Sequence, residues 1–591
     1  MDCLTYPFDS GYILEKKKFI KKTLLASSVV NLKKRIAILG GSTTSEIKNI
    51  LTLFLLDQGI EPEFYESEFG QYWQDAMFNE ELKEFCPDVI FIHTTSRNIT
   101  SYPTVLNSDE QITDMLETQY SHFTVMWDKL LQEYHCPVIQ NNFERLSYRL
   151  LGNKDISDIH GRNNFIARLN LKFYEYAQTH ESFYIHDIDF LAASYGLDKW
   201  SDPFFWHMYK YALAVPAIPD LAFSLSNIIK SIYGKNKKSL VLDLDNTLWG
   251  GVVGDDGVDG IVIGPEVSMG QVYSEFQDYI KSLKDLGIML NVCSKNDHEN
   301  AILGLNHPDG SLKPDDFIVI KANWENKDRN ICEIANELNI GTDSLVFIDD
   351  NPAERAIVKA QVVGVEVPDI GSAEQYIHRI DHSGFFEVTN FSQDDIKRND
   401  MYKANAERAN LQQRFGSYED YLLSLEMVGT IRDFEPIYMQ RIAQLTNKSN
   451  QFNLTTKRYS ESELAAVTND SNYIRLYGKL EDKFGDNGVV SIIIGHKKVS
   501  TLHIDLWLMS CRVLKRNMEY AMLDTLIDEC QIHEIIDIIG YYYPTAKNNM
   551  VRNFYATMGF DKISEDEQGN SVWHYYVGAH TTKNHEIKII R

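Results

Sequence analysis

Ser239 to Gly251 reads Ser-Leu-Val-Leu-Asp-Leu-Asp-Asn-Thr-Leu-Trp-Gly-Gly. Small and apolar residues run straight into Asp243, and a short run of this kind suits a strand buried on both faces of a parallel sheet. Asp243 and Asp245 then fall two residues apart where that strand ends. In an open α/β sheet, ligands bind beyond the carboxyl ends of the strands. Two carboxylates held there repel each other unless a cation or a proton lies between them. Mg²⁺ takes oxygen ligands and favours phosphate-bearing sites with one or two carboxylates. Two later stretches repeat the pattern. Ile288 to Asp297 (Ile-Met-Leu-Asn-Val-Cys-Ser-Lys-Asn-Asp) is a mostly apolar run ending in the hydroxyl of Ser294. Ser344 to Arg355 (Ser-Leu-Val-Phe-Ile-Asp-Asp-Asn-Pro-Ala-Glu-Arg) ends its run in paired carboxylates, Asp349 and Asp350. Lys327 lies between them, near the start of a helical pattern.

The string Asp243-Leu-Asp-Asn-Thr247, followed in order by Ser294, Lys327 and the pair Asp349 and Asp350, resembles the four motifs of the haloacid dehalogenase (HAD) superfamily of phosphotransferases. The resemblance implies that Asp243 is the phosphoryl nucleophile and that Asp245 protonates the leaving oxygen and later activates water. It implies Mg²⁺ on Asp243, on Asp245 through its backbone carbonyl, and on Asp349, with Asp350 assisting. Ser294 and Lys327 would hold the transferring phosphoryl group. Thr247, Lys295 and Asn296 are the candidate substrate-binding residues beside them.

A chain of 591 residues has room for about three or four domains. Its net charge of −26 argues against a general nucleic-acid role. Basic runs are local: Lys16 to Lys18, Lys21, Lys22, Lys33 to Arg35, and Lys235, Lys237 and Lys238. They read as solvated faces, with a docking patch for an acidic partner as the alternative. The seven cysteines include no Cys-x-x-Cys pair, which signals neither zinc nor a disulfide framework and suits a reducing cytoplasm. No signal peptide is expected. No apolar run reaches membrane-spanning length.

The order of elements predicts an α/β multidomain chain. Residues 1–230 alternate strands and helices. Arg35 to Gly41 (Arg-Ile-Ala-Ile-Leu-Gly-Gly) leads into Ser42, Thr43 and Thr44, and Pro87 to His93 is a second strand. With Asp202 and His207 these resemble an SGNH-type hydrolase fold with Ser42 at the nucleophile position. Gly41 replaces that family's Asp, and Asp202 stands five residues before His207 rather than three, so a recognition domain is expected rather than an esterase. Ser231 to Lys238 reads as a linker. Residues 239–380 form the HAD-like domain, in which Gly251 to Gly264 resembles a hairpin flap. Gly270 to Leu286 is a helix. Neither connection between motifs has room for a large cap, so the site should admit a substrate carried on a macromolecule. Residues 381–427 read as a helical bridge and 428–591 as an α+β domain. The latter resembles the GNAT acyltransferases, with strands at Gly488 to Gly495, Ser500 to Leu508 and Glu534 to Gly540. Helices fall at Tyr438 to Leu445, Glu519 to Cys530 and Asn548 to Gly559. Lys515 and Asn517 stand where that family's CoA loop has glycines, which speaks against ordinary CoA binding.

End to end, the chain resembles the FkbH-like family, HAD subfamily IIIC proteins with SGNH-like and GNAT-like regions. The carrying stretches are Asp243 to Gly251, Cys293 to Asn296, Phe347 to Arg355, Asn447 to Thr456 and Tyr543 to Asn548. The resemblance implies glyceryl transfer from 1,3-bisphosphoglycerate to the phosphopantetheine thiol of an acyl carrier protein with loss of phosphate, in polyketide-type biosynthesis. Cys293 is then a candidate to carry the glyceryl unit as a thioester, since a positive neighbour such as Lys295 lowers a thiol's pKa. A small buried core cysteine is the other reading. The alternative functions are a plain Mg²⁺-dependent phosphatase and a scaffold that binds carrier proteins without transfer.

Overall fold

The computed structural model describes residues 1–26, 32–449, 451–545 and 547–591. Asn450 and Ala546, which fall inside two of the stretches quoted above, lie outside the described residues. The chain is a multidomain α/β protein that divides into two units, Met1–Ile232 and Tyr233–Arg591.

In the first unit, β1 (Leu32–Gly40), β2 (Ile60–Glu66), β3 (Val89–His93), β4 (Val138–Asn141) and β5 (Phe183–His186) form a wholly parallel sheet in the order β2-β1-β3-β4-β5. All of β3 and β4 is buried, as parallel strands covered by helices on both faces must be. Phe123 and Trp127 from the helix Asp109–Tyr134 and Phe165 and Phe173 from Arg162–Thr179 fill one side of the sheet. Strand order reverses at β1, so the crevice beyond the carboxyl ends of β1 and β3 is the sheet's switch point.

The second unit begins with β6 (Ser239–Leu242), β7 (Met289–Ser294), β8 (Val319–Ala322) and β9 (Leu345–Ile348), a parallel sheet in the order β8-β7-β6-β9. Side chains alternate across a strand, and here both sides are core. Leu240, Leu242, Leu290, Val292, Val346 and Ile348 enter one apolar layer. Val241, Met289, Cys293, Leu345 and Phe347 enter the other. The helix Ser268–Asp285 adds Phe276, Ile280 and Leu283 to the first layer. The expected hairpin over Gly251 to Gly264 is not formed. One helical turn (Val253–Asp256) and a single antiparallel bridge, Gly250 to Val262, take its place. Gly251, Gly257 and Gly264 adopt φ of +90°, +71° and +94°, a conformation that breaks strand continuity. Val252 N–H donates to the Asp256 carboxylate at 2.8 Å and fixes the turn.

The helices Arg398–Gln412 and Tyr418–Ser424 touch both halves of this unit. Tyr402 packs in the layer that holds Cys293, and Tyr421, Leu422 and Leu425 enter the core of the following sheet. That sheet comprises β10 (Val428–Arg432), β11 (Tyr473–Asp482), β12 (Gly485–Lys498), β13 (Thr501–Met509), β14 (Asp537–Tyr542), β15 (Asp561–Glu565), β16 (Ser571–Tyr576) and β17 (Lys588–Ile590). Its order is β15-β16-β14-β13-β12-β11-β10-β17. β13 and β14 run parallel and pair only over Thr501–His503 and Asp537–Ile539. Where they part, the chain's own Phe452–Leu454 fills the gap. Leu454 N–H donates to Trp507 O at 3.1 Å, Met509 N–H to Phe452 O at 3.0 Å and Tyr543 N–H to Leu454 O at 2.9 Å. The helix expected over Asn548 to Gly559 is broken into a 3₁₀ turn (Asn549–Val551) and a short helix (Phe554–Thr557). The Asn548 side chain binds the loop instead, accepting from Thr545 N–H at 2.7 Å and donating to Asn453 O at 2.9 Å, a competition typical of Asn.

Candidate active site

Asp243 follows β6, Ser294 ends β7, Lys327 opens the helix Lys327–Glu337 after β8, and Asp349 and Asp350 follow β9. Parallel pairing brings these ends together, since Asp243 N–H donates to Ile348 O at 2.9 Å. Asp243 is 7 % exposed, Ser294 2 %, Lys327 4 % and Asp349 0 %. The Lys327 ammonium lies 2.9 Å from Asp243 Oδ2 and 2.5 Å from Asp349 Oδ2. Burial opposes its charge, but Asp243 and Asp349 outweigh that and hold its pKa above the ordinary lysine value. Burial and the charge of Asp243 push Asp349 and Asp350 up.

Asp243, Asp349 and Asp350 can each present an oxygen within 4.8 Å of the others. Asp243 Oδ1 is buried and has no hydrogen-bond partner. An orphaned carboxylate oxygen among hard oxygen donors, beside two acids that burial and the charge of Asp243 hold above the ordinary carboxylate range, suits a Mg²⁺ site. The Asp245 carboxylate does not join this group. Its Oδ1 accepts from Trp249 Nε1–H at 2.9 Å and Val253 N–H at 3.0 Å, and its Oδ2 from Asn296 Nδ2–H at 3.0 Å. Burial raises its pKa, the direction that suits a proton donor.

The remaining candidates divide. Asn296 reaches Asp245. Thr247 Oγ1 accepts from Asp350 N–H at 3.2 Å and so holds the carboxylate loop. Lys295 is ion-paired with Glu354 at 2.6 Å, so its charge is already answered. Cys293 lies beneath the site. It is 0 % exposed, packs with Ile331, Ile334 and Phe347, and its Sγ lies 3.7 Å from the Lys327 carbonyl oxygen, to which the S–H donates. Burial pushes its thiol up to about 12 although Lys327 pulls the other way. A thiol held protonated in the core is what the small buried core cysteine reading describes.

Two residues without an assigned role in the sequence reading hold the site. Trp249 fixes Asp245 from four residues along the chain, and that spacing was the only signal for it. Arg355 donates from Nη1 to Asp349 O at 2.8 Å and Asp350 O at 2.7 Å, clamping the loop that bears both acids.

In the first unit, Ser42 is 2 % exposed and its hydroxyl has no partner. Asp202 caps its own helix by accepting from Phe204 N–H at 2.8 Å, and His207 is exposed. The three do not assemble into a Ser-His-Asp array.

The family model described as FkbH, N-terminal domain, matches residues 35–230. A solved structure is similar over much of the chain. It is the N-terminal part of the protein BF1531 from Bacteroides fragilis, described as containing a phosphatase domain and complexed with Mg. It is 30 % identical, with a TM-score of 0.58, and the match covers 64 % of this chain and 99 % of that one. The chain belongs to the FkbH family. Toward the C-terminus the FkbH-family chain is similar to acetyltransferase structures. The ribosomal-protein-S18-alanine N-acetyltransferase from Escherichia coli is 12 % identical with a TM-score of 0.21, over 27 % of this chain and 99 % of that one. The Ard1 structure from Thermoplasma volcanium is 19 % identical with a TM-score of 0.20, over 25 % and 97 %. No curated protein matches the sequence. Among the described residues, no helix is long and apolar enough to cross a membrane.

Proposed function

We propose that this FkbH-family chain transfers a glyceryl unit from 1,3-bisphosphoglycerate to the phosphopantetheine thiol of an acyl carrier protein, with loss of phosphate. The observation that carries the reading is the Lys327 ammonium set between Asp243 and Asp349, with Asp350 beside them, at adjoining strand ends. Such a site is built to receive a phosphoryl group.

In the removal of the phosphate ester, Asp243 attacks phosphorus through its free oxygen and the ester P–O bond breaks. Asp245, steadied by Trp249 and Asn296, protonates the leaving oxygen. Asp245 then takes a proton from the water that hydrolyses the aspartyl phosphate. Ser294 and Lys327 hold the phosphoryl oxygens. Asp243, Asp349 and Asp350 would hold Mg²⁺ with the Asp245 carbonyl, and Mg²⁺ when bound supplies charge against the transferring group. In the transfer, the carrier thiolate attacks the acyl carbon of the donor. The C–S bond forms, the bond from that carbon to the phosphate oxygen breaks, and inorganic phosphate leaves. The acyl phosphate is already activated, and the buried Cys293 thiol favours this direct attack over a protein thioester. The segment between the first two site strands holds only a short helical turn, Val253–Asp256, before the helix Ser268–Asp285, consistent with a substrate presented on a carrier.

The test is intact mass of a panel of holo carrier proteins after incubation with the protein, Mg²⁺ and 1,3-bisphosphoglycerate. A glyceryl adduct on a carrier thiol supports the reading. Phosphate release with no carrier adduct leaves a plain phosphatase.

A further inference from the structure

The first unit contains a cavity of about 200 Å³ that the phosphoryl chemistry does not use. It is lined by Ser96, three residues past β3, and by Glu144, three residues past β4. It therefore lies beyond the carboxyl ends of parallel strands, where open α/β sheets take ligands. Its size falls below the about 300–1,000 Å³ of sites for drug-sized ligands and suits a small molecule.

Glu144 is 5 % exposed. It accepts from Ser96 N–H at 3.1 Å and from the Ser96 hydroxyl at 2.7 Å. A carboxylate offers about four lone-pair sites, so acceptor capacity remains toward the cavity. Burial disfavours its charge and raises its pKa to about 7 despite those bonds and the nearby charge of Arg97. A carboxylate in such a place gains from a cationic partner. The walls are aromatic: Tyr102, Tyr148 and Trp200 line the same space, and ring faces attract cations, as the Arg162 guanidinium already does over Tyr102 and Tyr148, 5.5 and 5.9 Å from their centroids.

Arg97 and Arg145 bring the opposite charge to the same cavity. Arg145 is answered by Asp189 at 3.1 Å. Arg97 rests its guanidinium on the Trp206 ring, 4.4 Å from the centroid, and among the described residues no carboxylate forms a salt bridge with it. Glu144 is buried, so a ligand that brings it no cation is disfavoured, and Arg97, exposed at the same cavity with its guanidinium on Trp206, offers a partner for a carboxylate on that ligand. We propose that this cavity binds a small zwitterion of the α-amino-acid type, with its ammonium on Glu144 between the aromatic rings and its carboxylate on Arg97.

The test is calorimetric titration of the full-length protein with L-leucine, L-phenylalanine and L-methionine. Each is compared with the amine and the acid that lack one of its charged groups, isoamylamine and 4-methylpentanoate in the case of leucine. The expected result is one site per chain for at least one amino acid, with both its analogues weaker by about tenfold or more. Glu144→Gln and Arg97→Gln should each weaken binding by a similar factor. Because Glu144 also braces Ser96, Tyr148→Ala is a second variant, at an exposed wall position, and should weaken binding in a folded protein. Absence of binding by all three amino acids at about 10 mM, an analogue that binds as tightly as its parent, or wild-type affinity in a folded Arg97→Gln variant would each overturn the proposal.

Discussion

The Lys327 ammonium lies 2.9 Å from one carboxylate oxygen of Asp243 and leaves the other oxygen, Oδ1, without a partner. The same nitrogen lies 2.5 Å from Asp349. One fixed cation thus orients two acids that the ends of β6 and β9 force together. A tethered oxygen and a free oxygen on one carboxylate are what a positioned nucleophile requires, because orientation is fixed before the reaction begins. Lys327 can serve in this way because it opens a helix whose first turn faces the strand ends.

Asp243→Asn should lower phosphate release by about a thousandfold or more, the scale of removing a nucleophile. Asn is nearly isosteric, and Lys327 keeps Asp349, so the circular dichroism spectrum should be unchanged. Wild-type phosphate release by this variant would remove Asp243 from the role of nucleophile.

Mg²⁺ should stabilise the protein against heat, by about 2.7 kcal/mol when free Mg²⁺ is a hundred times its dissociation constant. Asp349→Asn should lose that protection. Asp245→Asn should keep it, because Trp249, Val253 and Asn296 occupy the Asp245 carboxylate. Scanning calorimetry with and without Mg²⁺ reads both variants. If Asp245→Asn no longer responds to Mg²⁺, the Asp245 side chain belongs among the ligands.

Much of this arrangement was legible in the sequence, for a physical reason. Apolar runs that end in carboxylates are costly to bury unless the charge emerges at a strand end, so Val241-Leu242-Asp243 and Phe347-Ile348-Asp349 located strand and site together. The direction of Cys293 was not legible. Both faces of β7 are core, so alternation places Cys293 on the side of Met289 without saying which side opens to substrate. The partners of Asp245 were hidden because they come from a Trp one turn on and an Asn beyond another strand. The glycine-rich stretch after Gly250 misled because glycines suit both hairpins and irregular turns. Asp256, which captures Val252 N–H, decided between them.

Ser42→Ala should leave phosphate release unchanged, and no esterase activity should be found in either protein. The Ser42 hydroxyl is buried with no partner, and the exposed His207 does not reach it. Burying an unsatisfied hydroxyl costs about 1–3 kcal/mol, so the alanine variant should be as stable as wild type or more so. Ester hydrolysis that disappears on this substitution would restore a catalytic role to the first unit.

Cys293→Ala should still load the carrier at close to the wild-type rate while losing about 1–2 kcal/mol of stability to the space left in the core. Alkylation of the native protein should mark the exposed Cys86 and Cys332 before Cys293. Peptide mapping after incubation with donor and no carrier tests the mechanism directly. A glyceryl adduct on Cys293 would show that the core opens around this thiol and would replace direct attack by the carrier with a two-step transfer.

Acid should loosen the first unit in a defined window. His93 and His186 end β3 and β5, and Asn141 at the end of β4 stands 2.9 Å from the Nδ1 of each. Both rings are fully buried, and burial lowers their pKa to about 4 and about 3 from an ordinary 6.5, with His93 adding to the effect on His186. Between pH 6.5 and about 4 the unfolded chain therefore binds more protons than the native one, and stability falls as pH falls. At about 1.4 kcal/mol per pH unit this comes to roughly 3 kcal/mol for His93 alone. Glu144 acts in the opposite sense. Its pKa is raised from 4.5 to about 7 by burial, so the native state binds more protons in that interval and stability rises as pH falls through it. Between pH 6.5 and 4.5 one carboxyl offsets only one of the two histidines, so stability falls there at about half the rate the histidines alone would give. Below 4.5 the gain from Glu144 is complete, and the fall steepens until His93 takes its proton near pH 4. Hydrogen exchange of peptides from β3, β4 and β5 measures it residue by residue. In Glu144→Gln the opposing contribution is gone, and the loss between pH 6.5 and 4.5 should be about twice as steep as in wild type. Protection that is flat from pH 7 to 4 in that variant would mean that His93 and His186 already carry protons in the folded protein.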